Sequence, residues 1–317
     1  MSNLDEVEDG TIDENILFQN DKYFEGDMIG MSKEKIEDII RVANTKPPAD
    51  DPNAIASFAA ILGAYYRWPN KQIPYLISSR FPYHERRIIA KAIDHINRRT
   101  CLTFVPRHSQ RDYIFIRVAY PGDCSSYVGR QGGQQYVNLG RGCVQVGLVV
   151  HELMHAIGFF HEQSRNDRDH YVRILWQNIL PRYRAQFNKF GLNKITHLRT
   201  SYDYSSVMHY PSYAFSYNGQ PTIVNSRTSQ TLGQRNGLSK TDAIEINRLY
   251  QCDDGGSGGG GGTGGGGTGP RPTHCSDAIV FCAHWQRYCP KYYPHASPNS
   301  NYYAWYKTNC ARTCGLC

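Results

Sequence analysis

Hydrophobic and polar positions divide the chain into segments with different periods. Between Tyr83 and Thr100 the apolar Ile88, Ile89, Ala92, Ile93 and Ile96 fall on one stripe, which predicts an amphipathic helix over Tyr83–Thr100. Tyr113–Ala119 places Ile114, Ile116 and Val118 at every second position, the period of a half-buried strand, and Ile73–Ser78 and Gln135–Leu139 also read as strands. Val144–Phe160 is mostly apolar and predicts a buried helix. From Asp169 to Gln251 the pattern loses regularity until a last helix, opened by Ser-Lys-Thr-Asp, where Ser239 and Asp242 form a capping-box-like start. Residues 1–58 are polar and poor in aromatics, with one short helix predicted over Ser32–Ala43.

The polar residues set into the 144–160 helix carry the chemistry. His151–Asp169 reads HELMHAIGFFHEQSRNDRD. Residues four apart share a helix face, so His151 and His155 can put two imidazoles on one metal ion. Glu152 follows the first of them and can reach a water at the metal without being a ligand. Gly158 lets the helix stop and the chain turn, because glycine tolerates positive φ. The turn brings His161 round as a third ligand. Three protein ligands leave a position open for water, which marks a catalytic and not a structural zinc site. The alternative is a buried helix with satisfied core histidines; three histidines at this spacing, with the Glu and the Gly, weigh against it.

The longer pattern, HExxHxxGxxH followed by a Met-turn at SVMHY (Ser206–Tyr210), is the metzincin signature. With Glu162 directly after the third His, the chain resembles the astacin family of zinc endopeptidases over roughly Ala59–Cys252. The resemblance implies a two-subdomain α+β fold, with a mixed sheet and helices above a cleft and an irregular lower half. It implies one Zn²⁺ per catalytic domain, held by His151, His155 and His161, with Glu152 as general base and then acid. Tyr210 is implied as a further zinc ligand at rest that swings away to stabilise the oxyanion, and Met208 as a packing floor beneath the metal. Upstream, FEGD (Phe24–Asp27) resembles the family's aspartate switch, FxGD, whose carboxylate takes the place of the catalytic water. Glu162 is drawn inside and needs a partner; the resemblance supplies the new N-terminus of the activated chain. Ala59, nine residues before Trp68, is the candidate terminus, with Asn53 or Ala54 as the alternative. By resemblance, Cys101 pairs with Cys252 and Cys124 with Cys143, one of three pairings open to four cysteines.

Composition adds compartment and modularity. The chain has 317 residues and ten cysteines, which points to an oxidising compartment and a secreted protein. The opening MSNLDEVEDG is acidic and shows no apolar signal core, so the expectation is that a secretion signal is missing from this version of the sequence. No apolar stretch is long enough to span a membrane. Residues 1–58 hold 14 Asp+Glu against 5 Lys+Arg, and the remainder holds 30 Lys+Arg against 14 Asp+Glu. That asymmetry fits an acidic pro-segment lying across a basic catalytic domain, 59–252. No nucleic-acid-binding motif is present. Arg235 in GQRNG, with the basic domain, points to acidic residues in the substrate.

Residues 253–274 form a Gly-rich linker that cannot bury apolar surface. The segment 275–317 carries six cysteines ending CxxxCxxC, too short for a core of its own, and resembles a ShK-type (ShKT) module. That resemblance implies Cys275–Cys317, Cys282–Cys310 and Cys289–Cys314, one pairing among fifteen, and a supporting ion pair of Asp277 with Arg312. The channel-blocking members place a Lys-Tyr dyad before the fourth cysteine; here Tyr306 precedes Lys307 and is displaced. Two rival functions follow, a binding protein acting through this module and an inactive scaffold. The displaced dyad counts against the first, and the complete HExxH set with Tyr210 against the second. The expected partners are protein or peptide substrates and an activating protease.

Overall fold

The computed structural model describes residues 23, 25–30, 58–61, 63–189 and 195–252. Phe24, the helix expected over Ser32–Ala43, the alternative starts Asn53 and Ala54, the linker and the six C-terminal cysteines with their three pairs lie outside the described residues.

A five-stranded sheet supports the first half of the fold. Its strands are β2 (Gln72–Ile77), β3 (Thr103–Pro106), β4 (Tyr113–Val118), β5 (Cys124–Ser126) and β6 (Gln134–Leu139), in the order β3-β2-β4-β6-β5. The inner pairings are parallel, and β5 runs antiparallel to β6 along one edge. Helix α1 (Tyr83–Asn97) and helix α2 (Val146–Ala156) pack on each other and cover the sheet. The α1 stripe is buried as its spacing requires: Ile89, Ala92, Ile93 and Ile96 are fully enclosed, while Ile88 is only half-buried and Ala90 takes its place inside. Among the strands, Ile73, Tyr75, Ile114, Ile116 and Val137 fill the other side of this core.

The second half has less regular structure. Antiparallel β7 (Val172–Ile174) and β9 (Ile223–Asn225) enclose an aromatic core with Phe187, Tyr202, Tyr210 and Phe215. The chain near the candidate start forms β1 (Phe58–Ile61), antiparallel to β8 (Ile195–His197), and Ala60 is fully buried and bridges to Phe159. Helix α3 (Lys240–Leu249) closes the fold. The Ser239 side chain accepts the Asp242 N–H and the Asp242 side chain accepts the Ser239 N–H, which makes the capping box complete. Cys101 is bonded to Cys252 and Cys124 to Cys143. The first bond ties the end of α1 to the end of α3, and the second ties edge strand β5 to the segment that opens α2. Among the described residues no helix is long and apolar enough to cross a membrane.

Two helix ends differ from expectation. Helix α2 starts two residues later than the apolar run and stops at Ala156, not Phe160, although Ile157, Phe159 and Phe160 are all buried. Gly158 takes φ 113° and sends the chain off the helix axis, a turn a larger side chain would strain. Helix α1 ends at Asn97 and its last turn unwinds over Arg98–Thr100 towards the Cys101 disulfide.

Candidate metal centre

Helix α2 is buried along its whole length from Gly147 to Ala156, so its polar groups need partners inside the protein. Its last carbonyls find them at fixed points. Trp68 Nε1 donates to the Ala156 carbonyl at 2.9 Å and the Tyr250 hydroxyl to the Ile157 carbonyl at 2.9 Å. At the other end Gly147 meets the loop at Arg235, where an added Cβ would stand 1.6 Å from the Arg235 carbonyl oxygen. Arg235 itself, read from the sequence as facing substrate, donates from Nη1 to the carbonyls of His209 and Gln234 and so clasps this loop to the Met-turn.

The helix therefore presents His151 and His155 in one direction, and the turn at Gly158 adds His161. All three are buried. His151 donates from Nδ1 to the Val207 carbonyl at 2.8 Å, and His155 from Nδ1 to the Phe159 carbonyl at 2.7 Å. His161 Nδ1 donates to the Glu25 carboxylate at 2.7 Å. With each Nδ1 engaged in this way, Nε2 is the nitrogen turned towards the centre, and a neutral imidazole with its proton on Nδ1 offers a lone pair there. The three Nε2 atoms face a common point, and so does the carboxylate of Asp27, which is fully buried. Asp27 Oδ2 lies 3.0 Å from His151 Nε2 and 3.1 Å from His161 Nε2, and Oδ1 lies 3.4 Å from His155 Nε2.

Imidazole lone pairs facing one another and a carboxylate repel unless protons or a metal cation stand between them, and three imidazoles with one carboxylate are a ligand set for a metal. The spacing fits zinc. Tetrahedral ligands at about 2.0–2.1 Å from Zn²⁺ lie roughly 3.4 Å from one another, and His151 Nε2 is 3.4 Å from His161 Nε2. The four ligand atoms all lie within 4.8 Å of each other. Further support comes from the hydrogen-bond inventory: Asp27 Oδ1, His155 Nε2 and both carboxyl oxygens of Glu152 are buried with no hydrogen-bond partner. Such orphans cost about 1–3 kcal/mol each in a dry site. Burial first and the Asp27 carboxylate second push the Glu152 carboxyl well above the usual carboxylate range. A cation at that point would relieve Asp27 and His155, and a water in the place of Asp27 would give Glu152 a partner.

The remaining residues of the motif brace this cradle. The Asp242 carboxylate, besides capping α3, accepts from the Ser206 hydroxyl at 2.7 Å and the Val207 N–H at 3.0 Å. Val207 in turn holds His151 by its carbonyl, so the cap of α3 reaches the first ligand through the Met-turn. Met208 is buried, and its carbonyl accepts the Glu162 N–H at 3.1 Å, pinning the third-ligand loop to the turn. Glu162 is buried with Arg165 Nη1 at 3.0 Å and the Asp203 N–H at 2.8 Å on its Oε1. Burial pushes its carboxyl up to about 7, with the Arg165 guanidinium pulling the other way. In the uncleaved chain its partner is thus Arg165. Tyr210 is fully buried, its ring 4.6 Å from that of His161, and its hydroxyl donates to the Glu25 carbonyl at 2.5 Å.

Sequence reasoning did not single out Glu25, Arg165 or the link from Asp242 to the Met-turn. It also missed how the N-terminal segment lies. Met28 bridges in parallel to Ser126, the Ser126 N–H donates to the Asp27 carbonyl at 2.9 Å, and the Ile29 N–H to the Ser126 carbonyl at 2.7 Å. The segment adds an isolated parallel bridge to the edge of β5 and delivers Asp27 to the three histidines.

Comparison with known proteins agrees with this geometry. Residues 61–251 match the peptidase family described as Astacin, and residues 274–317 match ShK domain-like. Zinc metalloproteinase nas-13 of Caenorhabditis elegans is 49% identical over 193 residues, which cover 61% of this chain and 43% of that protein. Zinc metalloproteinase nas-4 of the same organism is 46% identical, covering 61% of this chain and 62% of that protein. The chain thus spans less than two thirds of the length of these relatives. Among solved structures, high choriolytic enzyme 1, a hatching-enzyme zinc protease of Oryzias latipes, is 43% identical with a TM-score of 0.54, covering 59% of this chain and 93% of that one. The chain belongs to the astacin family of zinc metallopeptidases.

Proposed function

We propose that this chain is a secreted zinc endopeptidase made as a zymogen, with residues 1–58 as pro-segment, 59–252 as catalytic domain, 253–274 as linker and 275–317 as a ShKT module. The observation that carries the reading is the convergence of three imidazole nitrogens and the Asp27 carboxylate on one buried point. In this reading His151, His155 and His161 hold the zinc, and Asp27 occupies the position that water takes in the active enzyme. Zinc bound there supplies a Lewis acid that acidifies water and polarises a peptide carbonyl.

The chain's own groups do the rest. Glu152 is not placed as a ligand; its carboxylate takes the proton of the attacking water and returns it to the leaving amine. Tyr210, released from the Glu25 carbonyl when the pro-segment leaves, has a hydroxyl free to donate to the developing oxyanion. Edge strand β5 is then open, and a protein or peptide substrate can pair with it by backbone hydrogen bonds. Residues 27–29 thus block metal and substrate edge together, and an activating protease has to remove them. The ten cysteines and the two disulfides support secretion.

Glu152→Gln tests the chemistry. After pro-segment removal this variant is expected to bind zinc as the wild type does and to lose nearly all hydrolysis of a protein substrate library. Hydrolysis at the wild-type rate would remove Glu152 from the mechanism. The same library reports subsite preference.

A further inference from the structure

The N-terminal segment brings a second carboxylate into the cavity. Glu25 stands two residues before Asp27, is fully buried and takes φ 50°, a left-handed conformation uncommon for a residue other than glycine. In that conformation its side chain and backbone reach three groups of the catalytic domain. Oε2 lies 2.7 Å from His161 Nδ1, Oε1 accepts from the Ser164 hydroxyl at 2.6 Å, and the backbone carbonyl accepts from the Tyr210 hydroxyl at 2.5 Å. The other two ligands are held differently. His151 and His155 give their Nδ1 protons to backbone carbonyls of the catalytic domain, which stay in place after activation. The partner that the described residues give His161 belongs to the part that is cut away.

A ligating histidine whose other nitrogen donates to a carboxylate is held in one orientation and tautomer and becomes a stronger ligand. We propose that Glu25 is a positioning residue for the third zinc ligand, so that the zymogen retains zinc more tightly than the activated enzyme. The pro-segment then does two things from positions two residues apart. Asp27 blocks the metal, and Glu25 secures the metal in the blocked form until activation. The inference rests on the zinc reading of the three histidines and on the aspartate switch. The competing account makes Glu25 an anchor only, which grips Ser164 and Tyr210 and so holds Asp27 in place.

Zinc release separates the two. Full-length, zinc-loaded wild type, Glu25→Gln, Ser164→Ala and Asp27→Ala are mixed with excess chromogenic chelator, and loss of zinc is followed by absorbance. Ser164→Ala removes an anchoring hydrogen bond and leaves the Glu25–His161 contact. The expected result is release about tenfold or more faster from Glu25→Gln than from wild type, the usual size of an outer-shell loss, and only a small change for Ser164→Ala. Wild-type release from Glu25→Gln, or equal acceleration by the two substitutions, would overturn the proposal. After trimming, wild type and Glu25→Gln are the same polypeptide, so equal release and equal hydrolysis by the trimmed forms show that the variant folded. The underlying reading fails separately: full-length Asp27→Ala as silent as wild type would refute the aspartate switch, whatever the zinc release from Glu25→Gln.

Discussion

Arg165 shows how much one side chain can hold in this fold. Its guanidinium is 1% exposed and bonds to Glu162, to Asp167 and to the carbonyls of Thr200 and Ser201. Removing one partner of a buried pair leaves the other as an uncompensated charge, at a cost of about 3–5 kcal/mol. Arg165→Ala is therefore expected to lower the urea midpoint far more than Arg98→Ala, whose pair with Asp94 lies on the surface and contributes about 0–1 kcal/mol. Equal midpoints for the two variants would mean that Glu162 draws its stabilisation from elsewhere. At this scale the sequence was legible where chemistry is encoded by spacing: His151, Glu152, His155, Gly158, His161 and Met208 sit at offsets that a helix, a turn and a Met-turn require. Glu25 was not legible, because its carboxylate acquires meaning only from His161, 136 positions away. Arg165 lay within the motif stretch, yet nothing in its neighbours revealed that it would be the partner of Glu162.

Helix α3 and the Met-turn act as one element joined at Asp242. Burial pushes this carboxyl up to about 6, against the opposite pull of the bonds from Ser206, Val207 and Ser239. Its folded pKa stands above its unfolded value, so the folded protein holds the proton more tightly. The stability this confers is complete below about pH 4 and is lost as pH rises through about 6. Asp242→Asn does not titrate there, and protonation of the histidines cancels in the comparison. The stability gap between wild type and Asp242→Asn is expected to be widest near pH 4 and to narrow by roughly 3 kcal/mol towards pH 7. A gap that widens with pH in urea titrations would show that the ionised carboxylate is the favoured buried form. Elements with a clean period, α1 and β4, were readable from the chain, and β2 and β6 were readable as short strand-forming runs. β5 was not, since Ser125 and Ser126 are buried polar residues that break the apolar pattern, and β3 is only four residues long and ends in proline. The end of α2 was overrun because the apolar run continues past Gly158, and the residues after it are buried by the tertiary fold and not by a helix.

At the scale of the whole molecule, residues 25–30 lie against the domain that follows them in the chain, with Asp27 at the three histidines and Met28 bridged to Ser126. The pairing of β1 with β8 and the bridge of Met28 to Ser126 were out of reach of local periodicity, because each joins positions about a hundred or more residues apart. If 59–252 is the catalytic unit, cleavage within the Gly-rich linker should leave a fragment that keeps zinc and hydrolyses small peptides, since every proposed catalytic group precedes Cys252. A fragment that lost zinc or failed to fold would contradict that boundary. The central claim is that a zinc peptidase is held shut by Asp27, and its most direct test is the peptide hydrolysis rate of the zinc-loaded full-length chain before and after pro-segment removal, alongside full-length Asp27→Ala. The account predicts a silent full-length wild type, activity on trimming, and activity of Asp27→Ala without trimming. A full-length wild type already as active as the trimmed form, or a trimmed and zinc-loaded form that stays inert, would contradict it.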